Sequence, residues 1–349
     1  MSEAKVVADE RPDLERVYHA PWSVPRFEER LSSTKKQVLR DKVKELRNLK
    51  PWIIVSHLVI DWFIILAACI LSIRFLPWQF YFIPVIIVAS RQHALLVIMH
   101  DAVHFTFSKY YKFSDFITNV FAAYPLFITT ENFRLSHLLH HRFLNSNMDP
   151  DLNVKKMNPE DWTFPKTKIQ IVKLISKEIF GGGVIEIFRK LKRFSLKNSY
   201  DKEGKFNSNI YLRVAYYVVL IGFLYKFDLF KEYFIFWLLP MLLVLPLILR
   251  LRSIGDHFGL PGTDELNSAR NLIIPWWQKF LFAPHNIGMH VVHHIYPSIP
   301  YYNLLKANDF MLGMEEYKQV VHQNTSILGF SKGGVLYDLA TVEPKLRVN

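Results

Sequence analysis

Eight of the 14 histidines in this chain fall into three short clusters. They are box 1 (residues 100–104, HDAVH), box 2 (residues 137–141, HLLHH) and box 3 (residues 290–294, HVVHH). On a helix, spacings of three and four residues place side chains on one face, so each box directs its imidazoles to a common point. This arrangement predicts metal binding. The histidines concerned are His100, His104, His137, His140, His141, His290, His293 and His294.

The ligand type limits the choice of metal. Imidazole suits iron, zinc, copper or nickel, whereas magnesium and calcium prefer oxygen ligands. Eight ligands are too many for one ion, and a structural zinc ion usually has all of its positions filled by four protein ligands. We therefore expect two ions in a catalytic site, each with an open position for dioxygen or water. An isolated histidine is more often a surface or core group, but three boxes at helical spacing favour the metal site.

The composition indicates a membrane protein. Half of the 349 residues are hydrophobic and 21% are charged, which is typical of long apolar segments separated by charged ones. The net charge is +12, but the sequence contains no recognised nucleic-acid-binding motif. The charge is instead explained by Lys and Arg flanking the apolar segments, as in cytoplasmic loops. The single cysteine, Cys69, excludes an intrachain disulfide and a cysteine-based zinc site.

Four apolar runs, residues 51–75, 77–99, 211–227 and 233–249, are long enough to cross a hydrocarbon core of about 30 Å as helices. We therefore predict an all-α integral membrane fold: four transmembrane helices in two hairpins, with a cytoplasmic helical cap that carries the boxes. The connectors within the hairpins are too short to hold a site, so the boxes lie on the opposite side. The basic N-terminal arm places that side in the cytoplasm.

No repeat or linker divides the chain, so we predict a single domain, 1–349. Residues 113–129 are interpreted as a re-entrant or interfacial helix, with a further span as the alternative. Residues 184–198 have the pattern of a basic amphipathic helix in the headgroup plane, with a surface loop as the alternative. The predicted parts are an N-terminal arm (1–50), a first hairpin (51–99), a cap with boxes 1 and 2 (100–210), a second hairpin (211–250) and a region with box 3 (251–349).

Several polar side chains fall inside the first two predicted spans, where charge is costly and often functional. These residues are His57, Asp61, Arg91, Gln92 and His93. Those of the second span, Arg91, Gln92 and His93, either form a polar wall under the metal site or pair among themselves for packing.

Three longer segments extend the boxes into a recognisable pattern: HDAVH, RLSHLLHHRFLNSNMDPD and APHNIGMHVVHHIYPSIPYYNL. In order and placement they closely resemble the membrane fatty acid desaturase superfamily, over roughly residues 92–305. The resemblance implies that the eight box histidines hold two iron ions at the cytosolic ends of a four-span helical fold. It also implies that these irons activate dioxygen, the co-substrate, and abstract hydrogen from an unactivated methylene.

The family pattern suggests further ligands. A ninth histidine commonly follows the last span, and His257 matches it by position. In acyl-CoA desaturases an asparagine one turn earlier completes the set, but that position is Ser253 here. Asn286, one turn before His290, is the nearest substitute. The resemblance thus implies nine histidine ligands, with Asn286 as a tentative tenth.

Acidic residues near the boxes are candidates for orienting the ligands, because a ligating imidazole usually donates its other ring N–H to a carboxylate. Asp149 and Asp151 of the MDPD segment fit this role, and Asp101 and Asp256 lie beside predicted ligands. The first two, on either side of Pro150, could at the same time form a turn.

The resemblance implies an oxygen-dependent di-iron enzyme that introduces a double bond into a fatty acyl chain. With the same metals, the alternatives are a hydroxylase, a carotenoid ketolase or hydroxylase, or an alkene-forming fatty acid decarboxylase. A metal-handling membrane protein is the non-enzyme alternative, although a transporter places its ligands nearer the bilayer midplane.

The expected partners are a membrane lipid or acyl substrate and a separate electron donor of the cytochrome b5 or ferredoxin type. Box 3 begins with His290 rather than glutamine, and no cytochrome b5 module is recognisable. The chain therefore does not resemble a front-end desaturase. The endoplasmic reticulum and a bacterial inner membrane both fit the predicted topology.

Overall fold

The chain is mostly helical in the residues that the computed structural model describes, 26–184, 209–262 and 264–341. A small parallel sheet pairs β1 (Asn271–Leu272) with β2 (Gln323–Asn324). Apart from Val184, the predicted amphipathic helix at 184–198 lies outside the described residues. In chain order the helices are α1 (Ser33–Leu46), α2 (Pro51–Phe75), α3 (Phe82–Val103), α4 (Tyr111–Thr118), α5 (Thr130–Arg142), α6 (Pro150–Lys155), α7 (Pro159–Trp162), α8 (Lys168–Lys177), α9 (Ile210–Lys226), α10 (Phe230–Tyr233), α11 (Leu245–His257), α12 (Trp276–Phe282), α13 (His290–Ile295), α14 (Tyr301–Met311), α15 (Glu315–Lys318) and α16 (Val335–Thr341). Short 3-10 or π turns lie at Phe27–Arg30, Trp78–Phe80, Asn119–Ala123, Tyr124–Leu126, Glu178–Gly182, Phe234–Leu238, Pro240–Val244 and Pro284–Asn286.

Three helical stretches among the described residues are long and apolar enough to cross a membrane: Pro51–Phe75, Trp78–Val103 and Phe230–His257. They contain 25, 26 and 28 residues. At a rise of about 1.5 Å per residue, each is longer than the thickness of a hydrocarbon core, about 30 Å. The predicted helical membrane fold is confirmed to this extent. Helix α9, on the remaining predicted span, has 17 residues and is about 25 Å long, so four spans in two hairpins stay a prediction.

The third long stretch is helical throughout but departs twice from regular α geometry. Its π turns, Phe234–Leu238 and Pro240–Val244, lie around Pro240 and just before Pro246. A proline has no N–H to donate, and its ring clashes with the carbonyl four residues earlier, so the helix is locally rewound. Regular α geometry resumes in α11, which ends at His257.

Helix α3 lies at the centre of the helical assembly and contacts α2, α5 and α11. From Ser90 to Val103 nearly all its side chains are buried. The helix continues four residues beyond the predicted end at Met99, because no proline or glycine interrupts box 1. Box 1 is therefore the last turn of this membrane helix rather than a segment that follows it.

Residues 113–129 form a broken helix wedged among the long helices. Three backbone carbonyls of this segment accept hydrogen bonds from large side chains of its neighbours. Trp62 on α2 donates to the carbonyl of Phe121 at 2.9 Å, and Trp237 donates to that of Pro125 at 2.8 Å. Tyr217 on α9 donates to the carbonyl of Tyr124 at 3.0 Å. Irregular backbone at membrane depth needs such partners, so these contacts agree with a re-entrant segment.

Arg134 of α5 joins the helix of box 2 to the end of the helix of box 1. Its guanidinium is fully buried and donates to the carbonyls of Ala102 at 2.8 Å and Val103 at 3.2 Å. It also forms a two-point ion pair with Asp115, with one N–O distance of 2.8 Å. The last carbonyls of a helix lack intrahelical donors and favour a nearby cation. Arg134 thereby fixes the two boxes relative to each other.

We expect Arg134→Met to destabilise the fold strongly, because it leaves the Asp115 carboxylate buried without its partner. Removing one member of a buried pair typically costs about 3–5 kcal/mol. Arg142→Met on the same helix, where the side chain is exposed, is the matched control and should change stability by less than about 0.5 kcal/mol. Thermal unfolding of the detergent-purified proteins compares them. Equal unfolding temperatures for the two variants would contradict the role of Arg134 as a structural link between the boxes.

Candidate metal centre

The three boxes and His257 lie on four separate helices whose ends meet at one place. Box 1 ends α3, box 2 occupies the last turns of α5, His257 is the last residue of α11, and box 3 begins α13. Helix α5 is fixed at its other end by Thr129, whose hydroxyl accepts a hydrogen bond from the backbone N–H of Asn132 at 3.2 Å. The structure therefore brings together residues that are far apart in the sequence. His100 and His294, for example, are separated by 194 positions.

Five imidazoles form the first cluster, group A, in which one ring nitrogen of each lies within 4.8 Å of all the others. The Nε2 atom of His137 is 2.8 Å from that of His100 and 3.1 Å from that of His141. The Nε2 atom of His141 is in turn 3.0 Å from that of His293. All three boxes thus contribute to a single cluster. Its members are His100, His104, His137, His141 and His293.

The second cluster, group B, contains His140, His257 and His294, whose ring nitrogens also lie within 4.8 Å of one another. His290 completes the group, since its Nε2 is 2.9 Å from that of His257 and 3.1 Å from that of His294. The two groups adjoin directly. The rings of His141 in group A and His294 in group B stack with centroids 4.2 Å apart.

Hydrogen bonds on the outer side of group B define the protonation of two rings. The Nδ1 atom of His140 lies 3.0 Å and 3.1 Å from the two carboxylate oxygens of Asp149. The Nδ1 atom of His257 lies 3.1 Å from the carbonyl oxygen of Ser268. A carboxylate and a carbonyl only accept, so both Nδ1 atoms carry the proton. In the neutral rings, each Nε2 lone pair is then available to a metal.

Burial keeps the other rings neutral. It depresses the pKa of His137 well below its usual range, and the neighbouring His100 and His104 lower it further. The pKa of His293 is depressed by burial and by the same two neighbours. His140 differs, because burial opposes its charged form but the Asp149 carboxylate outweighs that effect and raises its pKa. A metal requires neutral imidazoles, and the surroundings of group A supply them.

The donor atoms fit a bound cation better than they fit one another. Two Nε2 atoms about 3 Å apart share at most one proton, and His137 Nε2 faces two such neighbours. Hydrogen bonding alone therefore leaves nitrogen lone pairs directed at each other. The buried Nδ1 atoms of His100 and His294 also make no hydrogen bond within the described part of the chain. Imidazole-rich groups of this kind are compatible with a transition-metal site.

The acidic candidates occupy different positions around this centre. Asp149 contacts His140 as described and also accepts hydrogen bonds from the first backbone N–H groups of α6, as its N-cap. Asp151 instead forms an ion pair with the Lys155 side chain. The turn expected for this segment is therefore present, and it coexists with the contact between Asp149 and the ligand candidate.

The other two acidic candidates connect the boxes to neighbouring segments. The Asp101 carboxylate accepts the backbone N–H of Tyr301 at 3.1 Å, which joins box 1 to the segment after box 3. The Asp256 carboxylate pairs with Arg252 at 2.7 Å and lies 3.6 Å from Nε2 of His290. Both carboxylates therefore lie next to the imidazole groups without making the contact that Asp149 makes.

Asn286 lies in the turn Pro284–Asn286, with a left-handed backbone (φ 57°) and a partly exposed side chain. It stays a predicted ligand. Two contributors were not predicted. Arg252 donates to the carbonyl of Ile287 at 3.0 Å, and a charged residue in an apolar helix could have indicated this role. The Ser268 carbonyl carries no sequence signal, because any residue offers a backbone oxygen.

Comparison with known proteins places this geometry in a family. The profile of the fatty acid desaturase family matches residues 76–325, which include every box. Dihydrorhizobitoxine desaturase of Bradyrhizobium elkanii is 28% identical over 294 residues, covering 81% of this chain and 83% of that protein. The sn-1 acyl-lipid omega-3 desaturase (ferredoxin) of Nostoc sp. is 28% identical over 254 residues, covering 66% of this chain and 67% of that protein.

A chloroplastic omega-6 fatty acid desaturase of Spinacia oleracea is 25% identical over 288 residues, covering 77% of this chain. The chain spans about three fifths of that protein's length, 61%. The relatives named above are all desaturases, which are oxidoreductases, and the family match extends over both imidazole groups and two of the long apolar helices. The chain belongs to the fatty acid desaturase family.

Proposed function

We propose that this protein is an oxygen-dependent di-iron desaturase that introduces a double bond into the hydrocarbon chain of a fatty acyl lipid. The observation that carries the proposal is the pair of adjoining imidazole groups at the end of a membrane helix. Nine imidazole donors exceed the needs of one ion, and a closed structural site would use four. Two irons, one in group A and one in group B, account for the whole set.

The two irons, when bound, supply the activation of dioxygen needed to remove two hydrogens from neighbouring saturated carbons. The overall reaction balances as one CH2–CH2 unit, dioxygen, two electrons and two protons giving one CH=CH unit and two waters. Asp149 and the Ser268 carbonyl hold the N–H groups of His140 and His257 outward, so the Nε2 lone pairs stay directed at the site. All nine of these histidines except the partly buried His137 are buried, which limits the access of bulk water to the site.

The remaining site residues hold ligands in place through contacts with neighbouring segments. Asp101 does so for box 1 through Tyr301, and Asp256 does so for His290 together with Arg252. Asp151 contributes through its backbone N–H, which donates to the Asp149 carboxylate, while its own carboxylate pairs with Lys155. Asn286 is proposed as a further ligand for group B, on the basis of its position one turn before box 3.

Two of these relatives support a lipid substrate, because their names specify fatty acid or acyl-lipid desaturation. A second candidate is desaturation of a substrate that is not a fatty acyl lipid. The observation that favours it is the match with dihydrorhizobitoxine desaturase, which covers 83% of that protein. Hydroxylation, carotenoid oxidation and alkene-forming decarboxylation use the same kind of metal site and stay alternatives.

We place the metal centre on the cytoplasmic side of a four-span protein, with α9 as the fourth span. The basic N-terminal arm supports this orientation. Electrons would come from a separate cytochrome b5 or ferredoxin-type donor, and the name of the Nostoc relative includes ferredoxin. A basic face at the metal centre would steer an acidic donor towards it.

We expect His137→Ala, in group A, and His294→Ala, in group B, each to lose iron and all product formation. Each removes one donor nitrogen from a different ion. His322→Ala is the control, because His322 bonds to Asn267 at 2.8 Å, outside both groups. Iron is counted per protein by mass spectrometry of the purified membrane protein. Full iron and turnover in either box variant would contradict the two-ion proposal.

Asp149→Asn should weaken iron retention or turnover by roughly 10–100-fold, the usual cost of losing a carboxylate that orients a ligating histidine. Asparagine also caps helices well, so this change preserves the start of α6 while removing the charge beside His140. Asp151→Asn, two residues away, is the matched control and should retain most activity. A chelator competition assay compares the three proteins. Equal losses in both variants would assign the effect to the turn rather than to the imidazole.

Expression in a host of known lipid composition should yield acyl chains that are lighter by two hydrogen atoms. Gas chromatography with mass spectrometry of the fatty acid methyl esters detects them and locates the double bond. The His140→Ala variant provides the baseline. Products heavier by one oxygen atom would instead support a hydroxylase, and shortened terminal alkenes a decarboxylase. An unchanged lipid profile with a new unsaturated product outside the lipid fraction would favour the second candidate.

A further inference from the structure

A buried ion pair lies halfway along the first two long helices. Asp61 on α2 and Arg91 on α3 are 3.0 Å apart, with side chains 1% and 6% exposed. Asp61 follows Pro51 by ten residues, about 15 Å along the helix, and Arg91 precedes Val103 by 12 residues, about 18 Å. Because both helices are long enough to cross a membrane, this pair marks the level of the hydrocarbon interior.

The segment before box 3 reaches this level. The Ser90 hydroxyl donates to the carbonyl of Phe280 at 2.6 Å, and the Arg91 guanidinium lies 3.8 Å from the centre of the Phe280 ring. Five residues later, Nε2 of His285 lies 2.7 Å from the Asp61 carboxylate. These contacts place α12 and the turn after it beside the middle of α2 and α3, rather than beyond their ends.

The outer face of this segment is strongly apolar. Trp276 is 80% exposed, and Trp277 and Ile273 are 41% and 39% exposed. On the inner face Gln278 and Phe282 are buried, and Gln278 accepts the backbone N–H of Ile327 at 2.8 Å. Such aromatic exposure is unfavourable in water but suits the hydrocarbon layer and its boundary.

The backbone of the segment also meets the requirement for entering a membrane. Pro275 and Pro284 have no N–H to satisfy, and the carbonyl of Phe280 accepts hydrogen bonds from both Ser90 and Arg91. Non-helical backbone is tolerated at membrane depth only where protein partners of this kind are present. The half-buried Lys279 can extend its apolar stem along the surface and place its ammonium group nearer the headgroups.

We propose that residues 273–285 form a re-entrant arm, which enters the bilayer from the side of the metal centre, turns beside Asp61 and Arg91, and returns to box 3. Trp276 and Trp277 contact lipid acyl chains. The proposal rests on α2 and α3 crossing the membrane and not on the reaction catalysed.

A nitroxide label tests the lipid contact. In a Cys69→Ser background, which removes the only cysteine, Trp276→Cys is labelled and the protein is reconstituted in phosphatidylcholine vesicles. Phe63→Cys, at a lipid-facing position 70% exposed on α2, is the membrane reference, and Lys318→Cys on α15 is the aqueous reference. Paramagnetic resonance then compares collisions with oxygen, which concentrates in lipid, and with a water-soluble nickel chelate.

The label at position 276 should resemble that at position 63, with oxygen collisions dominating those of the chelate. A label that resembles position 318 overturns the proposal, and so does one shielded from both reagents. Ile273→Cys provides a second site on the same face, so that failure of one variant to fold does not decide the result. Iron content and product are measured in the Cys69→Ser parent, so loss of the proposed reaction there is distinguishable from an aqueous arm.

Discussion

The candidate metal centre depends on packing nine imidazoles together with most of them uncharged. A protonated ring at this position would lose its hydration and face the other imidazoles, and the depressed pKa values of His137 and His293 express both costs. Neutral rings remove the charge but leave lone pairs opposed at about 3 Å, which no arrangement of protons satisfies throughout group A. The same geometry that is unfavourable for the imidazoles alone is favourable for a cation between them. A cation bound there would therefore stabilise this part of the fold.

Such a site requires four helix ends to be held firmly, and buried arginines do much of this. Arg134 donates to the last carbonyls of α3, and Arg270 does the same for α11, with N–O distances of 3.2 Å to Ile254 and 2.9 Å to Gly255. Each places a cation at the negative end of a helix that carries a ligand candidate. Burying an arginine is costly unless its N–H groups are paired, and here the free carbonyls of the helix ends provide the partners.

Local signals in the sequence were sufficient for the boxes and the long helices. The spacing of the histidines predicted which side chains converge, and the predicted bounds of the first span, 51–75, coincide with α2. Interactions between distant segments carried no such signal. The contacts of Arg134 with Ala102 and of His257 with Ser268 involve backbone carbonyls, which every residue has. The seven residues of α12 are too few to register as a membrane segment, so its position beside the middle of α2 and α3 emerged only from the side chains it contacts.

Box 1 is separated from the buried ion pair on the same helix by an apolar stretch of α3. Between Arg91 and His100, α3 rises about 14 Å, and the residues from Ala94 to Met99 are all apolar. The charge at the lower end of this stretch is paired with Asp61, so it adds no unpaired ion to the interior. Nearly all of these apolar side chains are packed inside the protein. This closed apolar layer therefore separates the polar pair in the middle of the helix from the imidazoles at its end.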